Sequence, residues 1–317
     1  MSIDRLQEKI NLMKNPTVVG LDPSLEHIPP QILEKHVMAK GETFEAAAAA
    51  VLEFNTGLID ALCDIVPAVK PQSAFYELLG PQGILVLKMT CEYAKSKGMY
   101  VICDAKRNDI GSTAEAYSAA YLGTVKIGAT ELHPFDADAL TINAYLGSDG
   151  VMPFIETAVK YDKAVFALVK TSNPSAGEFQ DRFVGDVRLY TAVGDLLEEI
   201  SLHTVGKYGF TRVGAAVGAT VPQESEFLRE RLKHTFFLVP GYGAQGGTAE
   251  DAACSFMEDG HGAIVNSSRG IIAAWKKTGK GYQEAAREEA LRMRDELMRA
   301  IEKRGEAGRP RQIVHGN

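Results

Sequence analysis

The chain has 317 residues, of which 45% are hydrophobic and 24% are charged, a balance typical of a globular protein and not of a disordered one. Its 34 basic and 41 acidic residues sum to a net charge of −7, which argues against a basic surface for nucleic acid. Four of the first ten residues are charged, and no apolar run approaches the roughly 18 residues of a membrane helix, so we expect a soluble, cytoplasmic protein that binds no membrane.

Short β-branched segments bounded by Gly, Pro, Asn or Asp alternate with longer helical segments along the chain. An amphipathic helix is predicted first, over residues 3–13. Helices are also predicted over 44–63, 83–97, 112–122, 187–203, 223–233 and 249–257. The predicted strands begin at Thr17, Pro67, Tyr100, Leu140, Ala164, Arg212, Phe236 and Gly262.

Eight strand-then-helix units without a linker predict an α/β fold, a (β/α)₈ TIM barrel, as one domain over residues 1–317. The N-terminal helix and a charge-rich helix over 282–303 extend it. In that last helix Ala286, Ala290, Leu297 and Ile301 are spaced to contact a core, but we expect a solvated terminal helix.

A doubly wound dinucleotide fold is the alternative, because GYGAQG at 241–246 has the G-x-G-x-x-G spacing. In a dinucleotide fold this motif follows the first strand, whereas here it follows the seventh. The glycines therefore need another explanation.

The catalytic and binding residues of such barrels lie at the C-terminal ends of the strands. Asp104 and Lys106 end the third strand, and their spacing of two directs both side chains to the same side. Lys70 ends the second strand in an apolar setting, where an unpaired lysine is rare. With Asp109 the pattern is D-x-K-x-x-D, which taken alone is equally consistent with surface ion pairs.

The loops after the seventh and eighth strands often bind phosphate in these barrels. Gly241, Gly243 and Gly246 allow the backbone to approach an anion, while Gln245 adds a donor and Arg269 a bidentate cation. These features predict a phosphorylated small molecule as the ligand.

His133, Asp136 and Asp138 carry metal-ligating side chains, but they precede the fourth strand, at the face that usually serves stability. We therefore expect no metal there. The cysteines have neither zinc-type pair spacing nor a disulfide framework, and we expect them to be reduced and mostly buried.

The segments DAKRNDIGST (104–113), VGLDPS (19–24) and NSSRG (266–270) resemble the orotidine 5′-phosphate decarboxylase family, in particular its longer bacterial members. The resemblance spans residues 17–272. It implies a homodimeric barrel that converts orotidine 5′-monophosphate to uridine 5′-monophosphate and carbon dioxide in pyrimidine synthesis. It also implies that no metal or organic cofactor takes part.

The resemblance also implies roles for individual residues. Lys70, Asp104, Lys106 and Asp109 match the family's charged network, in which Lys106 donates the proton and Asp109 reaches the neighbouring subunit's site. The positions that match substrate contacts are Asp22 and Thr113 for the ribose, Ser172 for the pyrimidine, and Gln245 and Arg269 for the phosphate. The loop over 173–186 and the tail beyond 282 exceed the compact family pattern.

Two alternatives remain. A sugar-phosphate aldolase or decarboxylase would use a Schiff-base lysine or a divalent metal, but carboxylates beside Lys106 favour an ammonium, and a metal site calls for an acid in place of Lys70. A catalytically silent nucleotide-binding barrel would not need the charged network. Decarboxylation of orotidine 5′-monophosphate in the presence of a chelator would separate these readings.

Overall fold

The computed structural model describes residues 1–308, in which eight parallel strands form a closed barrel. Each begins within one residue of its predicted start, which confirms the predicted fold. In chain order these strands are Thr17–Leu21, Ala68–Pro71, Tyr100–Arg107, Ala139–Ile142, Ala164–Lys170, Val213–Val217, Phe237–Val239 and Ala263–Ser267.

Helices surround the barrel. Helix Leu189–Ser201 begins later than predicted, because Val187–Arg188 pairs with Phe183–Val184 as a small hairpin that follows from the end of the loop over 173–186. A second hairpin joins Val125–Ile127 to Thr130–Leu132. The helices are Ser2–Met13, Pro30–Lys40, Phe44–Leu62, Ser73–Glu77, Gly80–Ser96, Gly111–Leu122, Ser148–Lys160, Leu189–Ser201, Pro222–Arg231, Ala249–Ala253, Arg269–Ile272, Trp275–Thr278 and Tyr282–Gly308.

The interior of the barrel is apolar at the N-terminal ends of its strands. The first helix contributes Ile3, Leu6 and Ile10 to this core, so it closes that end of the barrel. The strand residues of the same core include Val18, Ala68, Ile102, Ala139, Phe166 and Ile264, and Phe236, directly before the seventh strand, also belongs to it. Because side chains alternate along a strand, the inward position two residues after each of these lies closer to the opposite end.

The C-terminal helix packs against the barrel's outer layer. Ala286, Ala290, Met293 and Leu297 are fully buried, and the helix contacts helices Phe44–Leu62 and Ala249–Ala253. The expectation of a solvated terminal helix was wrong, because apolar residues three and four apart form one continuous face. Within residues 1–308, no helix is both long and apolar enough to span a membrane.

Candidate active site

At the C-terminal end of the barrel, the inward positions become polar. Lys70 follows Ala68 by two residues, and Asp104 follows Ile102 in the same way. These side chains line a cavity of about 860 Å³ together with residues from the other strands. Two of those residues, Thr141 and Asn266, likewise occupy the second inward position of their strands. The strand period that builds the apolar floor therefore also builds the polar cavity above it.

Asp104 is the centre of the charged cluster. Its carboxylate accepts hydrogen bonds from Lys70 Nζ and Lys106 Nζ, each at 2.6 Å. Thr141 Oγ1 donates at 2.8 Å and Gln72 Nε2 at 2.9 Å. Asp104 is only 6% exposed and Lys70 only 4%. The structure thus brings Lys70, Asp104 and Lys106 together within hydrogen-bond distance.

The charges of the cluster stabilise one another. Burial alone would raise the pKa of Asp104, but the two ammonium groups outweigh burial and hold this pKa well below its ordinary value. Burial alone would lower the pKa of Lys70, but Asp104 and then Asp22 outweigh it and raise this pKa. Asp104 is therefore ionised and Lys70 protonated at neutral pH.

Lys106 reaches Asp104 through an irregular backbone. The pairing of the third with the fourth strand shifts between Cys103 and Arg107, and Lys106 has φ +48°, which non-glycine residues rarely adopt. Its backbone N–H donates to Thr141 Oγ1 at 3.0 Å, which holds it in this conformation. The same-side prediction for Asp104 and Lys106 is confirmed, but through this local irregularity and not through regular alternation.

The first and eighth strands supply acceptor groups to the cavity. Asp22 Oδ1 and Asn266 Oδ1 are buried and accept no hydrogen bond from the residues that the structure describes. Gly20 leaves the space for the neighbouring Ser268, because a Cβ on this glycine would lie 1.8 Å from Ser268 Oγ. Unsatisfied acceptors on two residues that line the cavity suit a ligand with hydroxyl groups.

The loops after the seventh and eighth strands form the side of the cavity opposite Asp104. Gln245 Oε1 accepts a hydrogen bond from Ser172 Oγ at 2.8 Å, which joins the fifth and seventh strand ends. Arg269 is exposed, lines the cavity and forms no ion pair with any residue of the described chain. Its guanidinium is thus free to bind an anion.

Asp109 and Thr113 do not line this cavity. The carboxylate of Asp109 accepts a hydrogen bond from the neighbouring Ile110 N–H at 2.8 Å, and Thr113 is exposed at the start of helix Gly111–Leu122. The structure therefore brings seven of the nine predicted site residues together in one chain and leaves these two outside.

Lys170 was missed by the sequence analysis. It ends the fifth strand, lines the cavity, is 3% exposed and pairs with Asp181 from the loop over 173–186. In the same loop, Gln180 accepts from Thr171 N–H at 2.9 Å and donates to Thr171 Oγ1 at 2.8 Å. A lysine after the apolar run AVFALV is the same signal that identified Lys70, and could have found it.

The carboxylates near the fourth strand are engaged in structural contacts. Asp136 pairs with Lys163 at 2.6 Å and with Lys95. Asp138 accepts from the Val101 N–H at 3.0 Å and from Arg5 at 3.3 Å. These bonds connect the outer helices to the N-terminal ends of the strands, where such contacts contribute to stability.

Known proteins share the sequence pattern and the fold of this chain. The model of the orotidine 5′-phosphate decarboxylase / HUMPS family matches residues 18–282. Two similar proteins named orotidine 5′-phosphate decarboxylase come from Rhodopirellula baltica and Caldicellulosiruptor bescii. The first is 42% identical over 288 residues, covering 89% of this chain and 93% of its own, and the second is 42% identical over 273 residues, covering 86% and 90%.

Among solved structures, OMP decarboxylase from Leishmania donovani superposes with a TM-score of 0.69 at 30% identity, covering 93% of this chain and 99% of its own. The sequence and structural matches thus extend over the whole barrel and its cavity. The chain is an enzyme of the orotidine 5′-phosphate decarboxylase / HUMPS family.

Proposed function

We propose that the protein converts orotidine 5′-monophosphate to uridine 5′-monophosphate and carbon dioxide in pyrimidine synthesis. The observation that carries this proposal is the buried Asp104 carboxylate between the amino groups of Lys70 and Lys106, in a cavity whose opposite side carries the cation Arg269. Relatives about 42% identical are named for this activity.

The chemical problem is the carbanion at C6 of the pyrimidine, which the ring delocalises poorly. Stabilisation near the upper end of the ~8–23 kcal/mol range is required, and groups oriented before the reaction supply such stabilisation most effectively. In this proposal Asp104 lies beside the substrate carboxylate and disfavours the ground state, while the ammonium of Lys106 faces C6.

The proposed reaction is a single replacement at C6. The bond from C6 to the carboxylate breaks, its electron pair stays on C6, and carbon dioxide leaves. Lys106 Nζ then gives a proton to C6 and becomes a neutral amine, which regains a proton from water. Lys70 holds Asp104, and Asp104 holds Lys106, so the donor is in position before substrate arrives.

The remaining residues of the cavity each bind a different group of the substrate. Gln245 and Arg269 bind the phosphate, Asp22 binds ribose hydroxyls through its free acceptor, and Ser172 binds the pyrimidine. Since the phosphate is remote from C6, its binding energy serves to fix the ring and to exclude water from the charged cluster. The proposed mechanism uses no metal or organic cofactor.

Asp109 and Thr113 belong, in this proposal, to the cavity of a second subunit in a homodimer. They lie outside the cavity of their own chain, and the family resemblance implies that Asp109 reaches the neighbouring site. The Lys70–Asp104–Lys106 cluster would then receive its second carboxylate from the partner.

Mixing two inactive variants tests this arrangement. Lys106→Ala and Asp109→Ala chains that are unfolded and refolded together should regain about a quarter of wild-type activity, since half of the dimers would be mixed and each would carry one complete site. If Asp109 acts within its own chain, no activity returns.

We also propose that the enzyme acts in the cytoplasm. Cys91 and Cys103 are buried with their Sγ atoms 3.6 Å apart, and both are free thiols. Unbridged thiols at this distance suit a reducing compartment.

The decisive experiment adds orotidine 5′-monophosphate to the protein with a chelator present and follows the ultraviolet spectrum. Conversion to the uridine nucleotide is expected. Nucleotide binding without spectral change would overturn the enzymatic assignment, and activity that disappears with chelator and returns with a divalent metal would favour the metal-dependent alternative.

A further inference from the structure

The C-terminal helix Tyr282–Gly308 reaches the loop proposed to bind phosphate. Tyr242, in the loop over 240–247, is buried, and its Oη donates to Glu296 Oε2 at 2.7 Å. Burial, together with the adjacent carboxylate, raises the pKa of Tyr242, so the hydroxyl remains the donor at physiological pH. This bond joins residues 54 positions apart, one beside the cavity and the other in the C-terminal extension.

Glu296 is itself held in place. Arg292 donates to Glu296 and also to Glu289, so three charged side chains on one helix face form a chain of ion pairs. The adjacent face of the helix is fixed by the buried Met293 and Leu297. Glu296 is therefore held by contacts of its own helix, and it can position a neighbouring backbone segment.

The loop needs such a contact because its own backbone is permissive. Three glycines of the loop have positive φ: 102° at Gly241, 68° at Gly243 and 97° at Gly246. Glycine adopts this region without steric cost, but it has no side chain that could fix the backbone there. Tyr242 lies between the first two glycines, and its backbone bridges Gly247. Tyr242 has the largest side chain in the loop over 240–247, so it is the residue through which other elements can hold this loop.

Tyr242 also separates two cavities. One side lines the main cavity beside Gln245 and Arg269, and the other lines a second cavity of about 450 Å³ with Arg292 and Glu296. A displacement of the tyrosine would therefore move the wall of the anion site directly.

We propose that Tyr242 and Glu296 form a latch through which the C-terminal helix positions the phosphate-binding loop. The two are positioning residues, and the inference rests on the proposed function, since it assumes that the loop binds the 5′-phosphate. The latch acts on the phosphate group alone, because the charged cluster at Asp104 is built from other strands.

The test measures binding of UMP and of uridine, which differ only in the phosphate, to the wild-type chain and to Tyr242→Phe, Glu296→Ala and the double variant. Each single variant should weaken UMP binding about three- to tenfold, the range for one hydrogen bond. Uridine binding should be unchanged, and the double variant should be no weaker than the single ones because both remove the same bond.

Glu288→Ala is the matched control, since it removes an exposed carboxylate on the same helix that pairs with Lys280 and contacts neither Tyr242 nor Arg292. It should bind UMP like wild type. The melting temperature of each variant shows that it is folded. UMP binding within twofold of wild type in both latch variants, or equal losses for UMP and uridine, would overturn the latch. Failure of the proposed function is distinguishable, because the wild type itself would then neither bind UMP nor decarboxylate orotidine 5′-monophosphate.

Discussion

The two sides of the cavity differ in how fully their charged side chains are paired within the chain. On one side, Asp104 accepts four hydrogen bonds from Lys70, Gln72, Lys106 and Thr141. On the other, Arg269 has no carboxylate partner among the described residues and the adjacent loop is rich in glycine. The fold thus pairs the charged cluster within the chain and leaves Arg269, in the proposed phosphate site, available to a ligand.

This difference has an energetic reason. Burying a carboxylate and two amines costs desolvation energy that only close pairing and full hydrogen bonding offset. A cluster that must act on a developing charge gains from being assembled beforehand, because no reorganisation is then needed during the reaction. A site that binds a phosphate gains instead from a free cation and an adaptable backbone.

The largest expected loss of activity comes from a substitution in the charged cluster around Asp104. Lys106→Ala should lower kcat by at least about 10⁴-fold, since it removes the proposed proton donor and the cation facing the carbanion together. UMP binding, measured by calorimetry, should change only a few-fold because the phosphate contacts persist. Near-normal turnover would show that Lys106 is not the donor.

Asp104→Asn should have the next largest effect. The amide keeps the shape of the side chain but loses the charge that orients Lys70 and Lys106, so we expect kcat to fall on the order of 10²–10³-fold. Single-turnover kinetics would show the loss in the chemical step. A variant with unchanged kcat and raised KM would instead assign Asp104 to binding alone.

On the side of the cavity with the proposed phosphate site, Arg269→Ala should raise KM about 10- to 100-fold, because charge-assisted bonds to the phosphate are lost. Lys277→Ala is the matched control, because Lys277 is an exposed cation a few residues along the chain that does not line the cavity. An equal effect of both variants would indicate general electrostatic attraction and not a specific contact.

The smallest effect concerns stability against pH. A carboxylate with a depressed pKa contributes stability above its unfolded pKa, ordinarily 3.8, and loses it as pH falls through the folded value. Lys70, with a raised pKa, contributes below its unfolded value of 10.5 and loses this as pH rises through the folded value. The difference in unfolding free energy between wild type and Asp104→Asn should therefore be level from about pH 5 to 9 and shrink below about pH 4.

Urea unfolding at each pH measures this difference. Asp186→Asn, which changes an exposed carboxylate, should give a curve parallel to that of wild type. A difference between wild type and Asp104→Asn that stays constant down to pH 2 would mean that Asp104 is not selectively stabilised as the carboxylate.

Much of the site was predictable because it follows local rules. Lys70 and Asp104 end apolar runs, and Arg269 follows the eighth strand, so their arrival at one end of the barrel needs only the strand period and the order of elements. The failures have another origin. The pairing of Lys170 with Asp181 depends on how a long loop folds back, which no local pattern encodes.

The C-terminal helix shows the same limit of local sequence rules. The spacing of Ala286, Ala290 and Leu297 predicted an apolar face, but only the tertiary structure decided that the face is covered by the barrel's outer helices. Likewise, the short spacing between Lys106 and Asp109 could not show that Asp109 lies outside the cavity of its own chain.

The sequence by itself determined the eight strands, their order, and the polar residues at their C-terminal ends, because periodicity and turn residues act between near neighbours. Tertiary structure alone decided that Lys70 and Lys106 share one carboxylate, that Lys106 takes a left-handed backbone conformation, and that Tyr242 meets Glu296. These contacts arise only when the barrel closes and the last helix packs, since closure brings together residues far apart in the chain.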